Sequence, residues 1–229
     1  VRSLIAVGIA FLACFFFIEL RQAPGYVLAK ELFKGGVWVL EVIAVSVEDA
    51  LAAEAGGAGR IELVSALGEG GLTPSYGLIN GVLQAVQIPV NVMIRPHSKS
   101  FVYSSYDFAV MREDIRMAKE LKANGVVFGL LSDRGIIDEK GLELLIEAAQ
   151  GLDVTFHKAF DYTENIIEAV NTIKKYPAIN RILTAGGKSN IENNLETLKN
   201  LVLSAEGQIK ILLGGGLTER NVVEIVQAT

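Results

Sequence analysis

Arg60 and Glu62 are charged residues on a short apolar strand, in the stretch Arg-Ile-Glu-Leu-Val at 60–64. Side chains two apart on a strand point to the same face, so this guanidinium and this carboxylate lie together. Charged side chains are seldom buried without a partner or a function. The strand runs into a glycine-rich loop at 68–71, and a helix begins after Ser75. This arrangement is typical of the wall of a polar binding site.

Other apolar strands also end in residues that can bind or catalyse. Arg60 and Arg95 can fix a carboxylate or a phosphate by paired hydrogen bonds. His157 can transfer a proton when a carboxylate orients it, so we predict catalytic roles for His157, Glu62 and Asp161. Glycine N–H groups can bind an anion at the start of a helix. The predicted ligand-binding residues are Glu41, Arg60, Arg95, Thr184, Gly186 and Gly215.

Each of these residues also has a structural interpretation. A carboxylate such as Glu41 and an arginine can simply pair inside a barrel, and a glycine run can be a plain turn. His97 lies beyond Pro96 in a polar loop, and we expect it to be exposed to solvent. Lys158 follows His157, so alternation predicts that it points away from the barrel interior. That orientation disfavours a Schiff-base aldolase.

The elements that must position these residues alternate regularly between strand and helix. Strands are predicted at 39–43, 60–64, 90–94, 126–130, 154–157, 181–183 and 209–213, and helices at 47–55, 76–86, 106–123, 139–149, 166–176, 191–205 and 219–227. Alternation of this kind implies parallel strands joined by right-handed crossovers. Seven βα units favour an α/β (β/α)8 barrel that lacks its last βα unit over a doubly wound sheet. In such a barrel the active site lies at the carboxyl ends of the strands.

A barrel without one strand has open edges on its first and seventh strands. Exposed strand edges invite association, so a homo-oligomer is possible. The apolar N-terminal segment is an alternative cover for the gap, and we give that arrangement little weight.

Residues 1–37 form an apolar leader, and residues 38–229 form the barrel domain. The run at 4–18 is uncharged and, at about 15 residues, is shorter than the roughly 20 that a membrane-spanning helix needs. It fits the apolar part of a signal peptide or a non-native leader, and we expect membrane association only if this run is a real anchor.

The charge and cysteine content exclude several classes of protein. The net charge is −5, and no basic cluster exceeds the pair Lys174 and Lys175, so we predict no nucleic-acid partner. Cys14 is the single cysteine, which leaves no internal disulfide and no cysteine metal site.

Several motifs together resemble the CutC family. They are Leu-Glu-Val at 40–42, the stretch 48–79 that includes Arg-Ile-Glu-Leu, Pro-Val-Asn-Val-Met-Ile-Arg-Pro at 89–96, Val-Thr-Phe-His-Lys-Ala-Phe-Asp at 154–161, 181–187 and 214–222. The resemblance covers 39–229 and implies a (β/α)8 barrel, a cytoplasmic location and a role in copper homeostasis. It also implies a site at Glu41, Arg60, Glu62, Arg95, His157 and Asp161.

This chain departs from the family where copper chemistry is concerned. The family commonly has cysteine where this chain has Ile43 and Val64. Copper(I) prefers thiolate and thioether ligands, and Met93 and His157 are the remaining candidates, so we predict no metal site while copper stays possible by resemblance.

The sequence therefore predicts a CutC-like protein of copper homeostasis whose polar pocket suits a small anionic ligand. One alternative is a barrel lyase or isomerase that uses His157 as acid and base on a phosphorylated or carboxylated metabolite. Another is a copper carrier without catalysis.

Overall fold

Strands and helices alternate from residue 37 onward in the computed structural model, which describes residues 16–21, 37–218 and 220–229. The strands are β1 (Phe16–Arg21), β2 (Val37–Ala44), β3 (Arg60–Leu63), β4 (Val90–Met93), β5 (Gly125–Phe128), β6 (Asp153–Phe156), β7 (Ile179–Thr184) and β8 (Lys210–Leu213). The helices are α1 (Val47–Ala55), α2 (Tyr76–Ala85), α3 (Ser105–Glu120), α4 (Glu139–Ala148), α5 (Ile166–Ile173), α6 (Leu195–Ala205) and α7 (Val222–Ala228). The predicted order of elements is confirmed, and boundaries differ by a few residues.

Strands β2 to β8 form a parallel curled sheet in which each strand pairs with the next along the chain. Strand β1 pairs antiparallel with both β2 and β8 and closes the ring. The expectation of two open edges is therefore wrong for the described residues, because β1 covers both. The rest of the predicted leader, at 1–15 and 22–36, lies outside the described residues. None of the helices in the described ranges combines the length and apolar character that crossing a membrane requires.

Side-chain oxygens at the helix starts explain why several helices begin where they do. Ser46 accepts a hydrogen bond from the Asp49 N–H at 3.0 Å. Ser104 and Asp107 form a reciprocal capping box at the start of α3. Such caps satisfy N–H groups that have no partner within the helix. They hold the helices against the outside of the sheet.

Alternation along β3 separates the helix-facing core from the barrel interior. Ile61 and Leu63 belong to the large apolar cluster that the helices cover, and both are fully buried. Arg60 and Glu62 therefore point inward, and they too are buried. The other strands repeat this pattern, so polar and charged side chains meet inside the ring of strands. The inward-facing side chains of the strands are therefore the ones that can form a site inside the barrel.

Candidate functional site

A cavity of about 200 Å³ lies at the carboxyl ends of the parallel strands. Each wall comes from the end of a different strand or from the loop that follows it. Much of the lining is apolar, and one acidic and three basic or imidazole side chains interrupt it. The lining residues are Ile43, Glu62, Val64, Leu67, Gly70, Gly71, Met93, Arg95, Phe101, His157, Lys158, Leu183 and Gly215.

Three polar atoms in this lining are buried and have no hydrogen-bond partner among the described residues. They are Glu62 Oε1, Arg95 Nε and His157 Nε2. A buried polar atom left without a partner costs about 1–3 kcal/mol. Their convergence on one cavity indicates a place where a ligand supplies the missing hydrogen bonds.

Glu62 shares the barrel interior with a second carboxylate, Glu41. Strand pairing places Glu41 beside Arg60, and the Arg60 Nε donates a hydrogen bond to Glu41 Oε2. Burial, and then the charge of Glu41, raise the pKa of Glu62 well above its ordinary value, while the charge of Arg60 opposes this shift. Glu62 therefore holds its proton to a higher pH than an exposed glutamate does.

His157 is held as a neutral hydrogen-bond donor. The Ala159 N–H donates to His157 Nδ1 at 3.1 Å, so the neutral ring carries its proton on Nε2. Burial, and then the charge of Arg95, lower the pKa of His157 to about 3. At neutral pH the ring therefore offers an N–H group to the cavity and is a weak proton acceptor.

Arg95 joins the cavity to the loop at 68–71. Its Nη1 donates to the carbonyl oxygens of Glu69 and Gly71, each at 3.1 Å. The guanidinium lies over the Phe101 ring, with its carbon 4.8 Å from the ring centre. The same ring contacts His157, with ring centres 5.2 Å apart. Two donors of the cavity are thus packed against one aromatic side chain.

Asp161 binds backbone groups of its own chain beside the cavity. Its carboxyl group accepts hydrogen bonds from Thr184 Oγ1 and from the N–H groups of Ala185 and Gly187, the last two at 2.9 and 3.2 Å. The Gly186 N–H donates to Thr184 Oγ1 at 2.8 Å. The predicted anion-binding loop therefore surrounds an anionic group that the protein itself supplies.

The nine predicted site residues thus fall into three groups. Glu62, Arg95, His157 and Gly215 line the cavity. The pair formed by Glu41 and Arg60 lies elsewhere in the barrel interior and does not line it. The third group lies beside it, at the end of β7 and in the segments that follow β6 and β7, and consists of Asp161, Thr184 and Gly186. Their assignment to catalysis or ligand binding stays a prediction.

The predicted orientation of Lys158 is wrong, because this residue lines the cavity. Strand β6 ends at Phe156 and a 3-10 helix occupies Lys158–Tyr162, so strand alternation no longer applies. The Lys158 Nζ lies 3.9 Å from Asp161 Oδ2 and packs over Gly215. The side chain is 42% exposed and stands at the mouth.

Two further expectations differ from the structure. His97 is half-buried rather than exposed, since its ring packs on Tyr103 and its Nε2 lies 3.5 Å from Asp107 Oδ2. Arg181 is fully buried within the barrel, where it donates to Asp153 and Thr155 at 2.9 and 3.1 Å. Sequence reasoning missed Arg181, although a charge two residues before Leu183 on an apolar strand repeats the signal at Arg60.

The described residues contain no cluster of three histidine, cysteine, aspartate or glutamate side chains that could hold a metal ion. Ile43 and Val64 lie in the cavity wall, so the two positions where thiols were expected by resemblance are apolar. Met93 and His157 are the soft donors of the lining. This donor set does not fit copper(I), which prefers several sulfur ligands.

The sheet and the cavity define a TIM-barrel-like α/β protein with a ligand pocket at the carboxyl ends of its strands. A dihydrodipicolinate synthase from Bacillus anthracis shares this fold alone, at 14% identity and a TM-score of 0.56 over 80% of this chain and 58% of that one.

The chain belongs to the CutC family, whose model matches residues 38–229. It is 44% identical to the mouse copper homeostasis protein cutC homolog over 92% of this chain and 76% of the relative. The human homolog is also 44% identical, over 84% of this chain and 70% of the relative. A CutC crystal structure from Streptococcus agalactiae is 35% identical, with a TM-score of 0.79 over 82% of this chain and 93% of that one.

The His157 ring depends on a glycine for its place. A Cβ at Gly129 would lie 2.3 Å from His157 Nδ1, so we expect Gly129→Ala to displace the ring and break its hydrogen bond to Ala159. Overpacking of this kind costs about 1–3 kcal/mol, which urea unfolding followed by circular dichroism measures.

Gly77→Ala is the matched control, because a Cβ there would meet nothing within 4 Å. We expect its stability to equal or exceed that of the wild type, since alanine favours the helix. Equal urea midpoints for Gly129→Ala and the wild type would contradict the assigned ring position.

Proposed function

We propose that this protein serves copper homeostasis, as the names of its relatives state of them, and that it does so by binding a small anionic organic molecule. The observation that carries this proposal is that Glu62, Arg95 and His157 all line one cavity and that each has a buried polar atom without a partner among the described residues. Arg95 supplies the positive charge for a carboxylate. Membership of the CutC family supports the cellular role, and the chemistry of the cavity supports an organic ligand.

The cavity suits a molecule with an anionic, polar end and an apolar end. Arg95 and the His157 Nε2–H are donors that match carboxylate or carbonyl oxygens. Glu62 supplies a carboxyl group whose pKa is raised by burial and by the charge of Glu41. Met93 and Leu183 provide apolar contact for a short carbon chain. A volume of about 200 Å³ limits the ligand to a few carbon atoms.

Direct copper binding in this cavity is the less favoured function. The described residues offer few soft donors there, and copper(I) sites are usually built from several sulfur ligands. We therefore assign the cavity to an organic ligand.

We also propose a cytoplasmic location, which the CutC resemblance implies. The complete architecture that we propose is a (β/α)8 barrel in which the last βα unit is lacking from this chain. The antiparallel strand β1 then occupies the place, between β2 and β8, that a parallel strand has in such barrels.

Replacement of Arg95 tests the proposed ligand class. Arg95→Met removes the charge that faces the carboxylate, and loss of one partner of a buried charged pair costs about 2–5 kcal/mol. We therefore expect the affinity for small carboxylates to fall by a factor of roughly 30 or more. Calorimetric titration of the full chain with acetate, pyruvate, malonate and inorganic phosphate measures this.

Arg112→Met, on the exposed face of α3, is the control for a general loss of positive charge and should bind like the wild type. A parallel titration with copper(I) under reducing conditions distinguishes the two ligands. Tight copper binding that Met93→Leu and His157→Gln abolish, with no carboxylate binding, would overturn the proposal.

A further inference from the structure

The cavity is lined by a carboxyl group, a neutral N–H donor and a cation, each with a buried polar atom that has no partner among the described residues. Two of the three side chains are fixed by contacts behind them. His157 is fixed by the Ala159 N–H, and Arg95 by the carbonyl oxygens of Glu69 and Gly71. The orientation of these two groups is therefore built into the fold before any ligand arrives. Preorganised donors of this kind stabilise charge that develops during a reaction.

The three groups differ in what they can do with a proton. The Arg95 guanidinium offers hydrogen-bond donors and no acceptor. His157 uses Nδ1 to accept a backbone hydrogen bond, so only its Nε2–H faces the ligand, and the neutral ring polarises an oxygen rather than removing a proton. Of these three groups, Glu62 is therefore the one that can both accept and return a proton.

We propose that Glu62 transfers protons to and from a carbon atom beside a carbonyl group, while His157 Nε2–H donates a hydrogen bond to that carbonyl oxygen. This inference rests on the proposed function, because Arg95 must first hold the carboxylate of the ligand. The substrate class that matches all three groups is a small 2-oxo acid. The role of acid and base thus passes from His157, where the sequence placed it, to Glu62.

The step balances without any additional reactant. The ionised Glu62 carboxylate forms an O–H bond to the proton as the C–H bond of the substrate breaks. The electron pair of that bond forms the carbon–carbon double bond of an enolate, and the charge moves to the oxygen that His157 Nε2–H contacts. Return of the proton from Glu62 to the same carbon reverses the step. A neutral imidazole beside a carboxylate base is an established arrangement for such enolisations.

The carboxylate behind Glu62 has a supporting role. Glu41 is itself fully buried and is hydrogen-bonded to Arg60, so it stays in place when Glu62 gains or loses its proton. Its charge, together with burial, favours the protonated form of Glu62. The base that results is stronger than an exposed glutamate, which helps the removal of a proton from carbon.

Hydrogen–deuterium exchange into 2-oxo acids tests the proposal. The full-length protein is incubated in D₂O with pyruvate, 2-oxobutanoate or 2-oxoglutarate, and proton NMR follows loss of the C3 proton signal. We expect the wild type to accelerate this exchange at least 100-fold over buffer, the lower end of what a positioned acid or base contributes. Lactate, which has the carboxylate but no carbonyl group, should show no exchange.

Two isosteric or near-isosteric variants test which residue transfers the proton. Glu62→Gln should reduce exchange to the buffer rate while it still binds pyruvate, and His157→Gln should reduce exchange at least tenfold. Circular dichroism confirms the fold of each variant, and saturation-transfer NMR reports binding independently of exchange. The wild-type rate should also rise with pH as the Glu62 carboxyl group ionises.

The outcomes separate this inference from the proposed function. Binding of the 2-oxo acids by the wild type without exchange overturns the inference and leaves the proposed function standing. Exchange that persists at the wild-type rate in Glu62→Gln also overturns it. Failure of the wild type to bind any of the carboxylates overturns both.

Discussion

Replacement of Arg60 by leucine should lower the free energy of unfolding by roughly 3–5 kcal/mol, the usual cost of breaking a buried ion pair. Arg60 donates to Glu41, and its charge also opposes the raised pKa of Glu62. Both carboxyl groups are buried, so neither gains water in exchange for the lost cation. Urea unfolding at pH 7, followed by circular dichroism, measures the change.

Arg116→Leu is the matched control for the Arg60 variant. Arg116 also pairs with two glutamates, Glu113 and Glu120, but on the exposed surface of α3. Exposed pairs contribute little, so its unfolding midpoint should stay close to that of the wild type. Adding Glu41→Gln to Arg60→Leu should recover part of the loss, because it removes a buried charge that has lost its partner. Equal effects of the two arginine substitutions would contradict the buried pair.

The second prediction concerns how the free energy of unfolding depends on pH. The contributions of His157 and Glu62 oppose each other in the wild type, so each should become visible when the other group is removed. The folded-state pKa of His157 is about 3, against an ordinary value of 6.5, so the unfolded chain binds more protons between these values. His157 therefore makes stability rise with pH in that range. Glu62 has a raised pKa, so above about 4.5 the folded state binds more protons and stability falls as pH rises. The two slopes therefore oppose each other as the pH rises above about 4.5.

Glu62→Gln leaves the His157 slope alone, and this slope amounts to roughly 2 kcal/mol between pH 4.5 and 6.5. The free energy of unfolding of this variant should therefore rise more steeply with pH than that of the wild type. His157→Gln leaves the Glu62 slope alone, so its stability should fall over the same range. Urea unfolding at half-unit pH steps resolves the difference. The other carboxylates titrate in all three proteins and cancel in the comparison. Parallel curves for the three proteins would show that neither group is shifted by the fold.

The parallel part of the fold could be predicted because each local pattern agrees with the others. Apolar strands at 60–64 and 90–94 end in polar loops, and serine caps such as Ser46 mark the helix starts. Strand β1 could not be predicted in the same way. Its pairing with β2 and β8 is a long-range, antiparallel contact, and a short stretch such as 16–21 carries no signal of its partner.

The site could be predicted where side-chain position follows strand alternation. Glu62 lies on a strand with a known inward face, and His157 directly follows one, so both were placed correctly in the barrel. Lys158 was misplaced because the backbone leaves the strand conformation one residue earlier. Phe101, which packs on Arg95 and His157, was missed because it lies in an irregular loop with no periodicity.

The carboxyl group of Asp161 occupies hydrogen-bond donors that a ligand could otherwise use. Many barrels of this fold take up the phosphate of a phosphorylated substrate on glycine-rich loops after late strands of the sheet. Here Asp161 already occupies the N–H groups of Ala185 and Gly187. An incoming phosphate would have to displace the Asp161 carboxyl group, which is covalently part of the chain and cannot dissociate. These two N–H groups are therefore already hydrogen-bonded within the protein and are not open donors for a phosphate group.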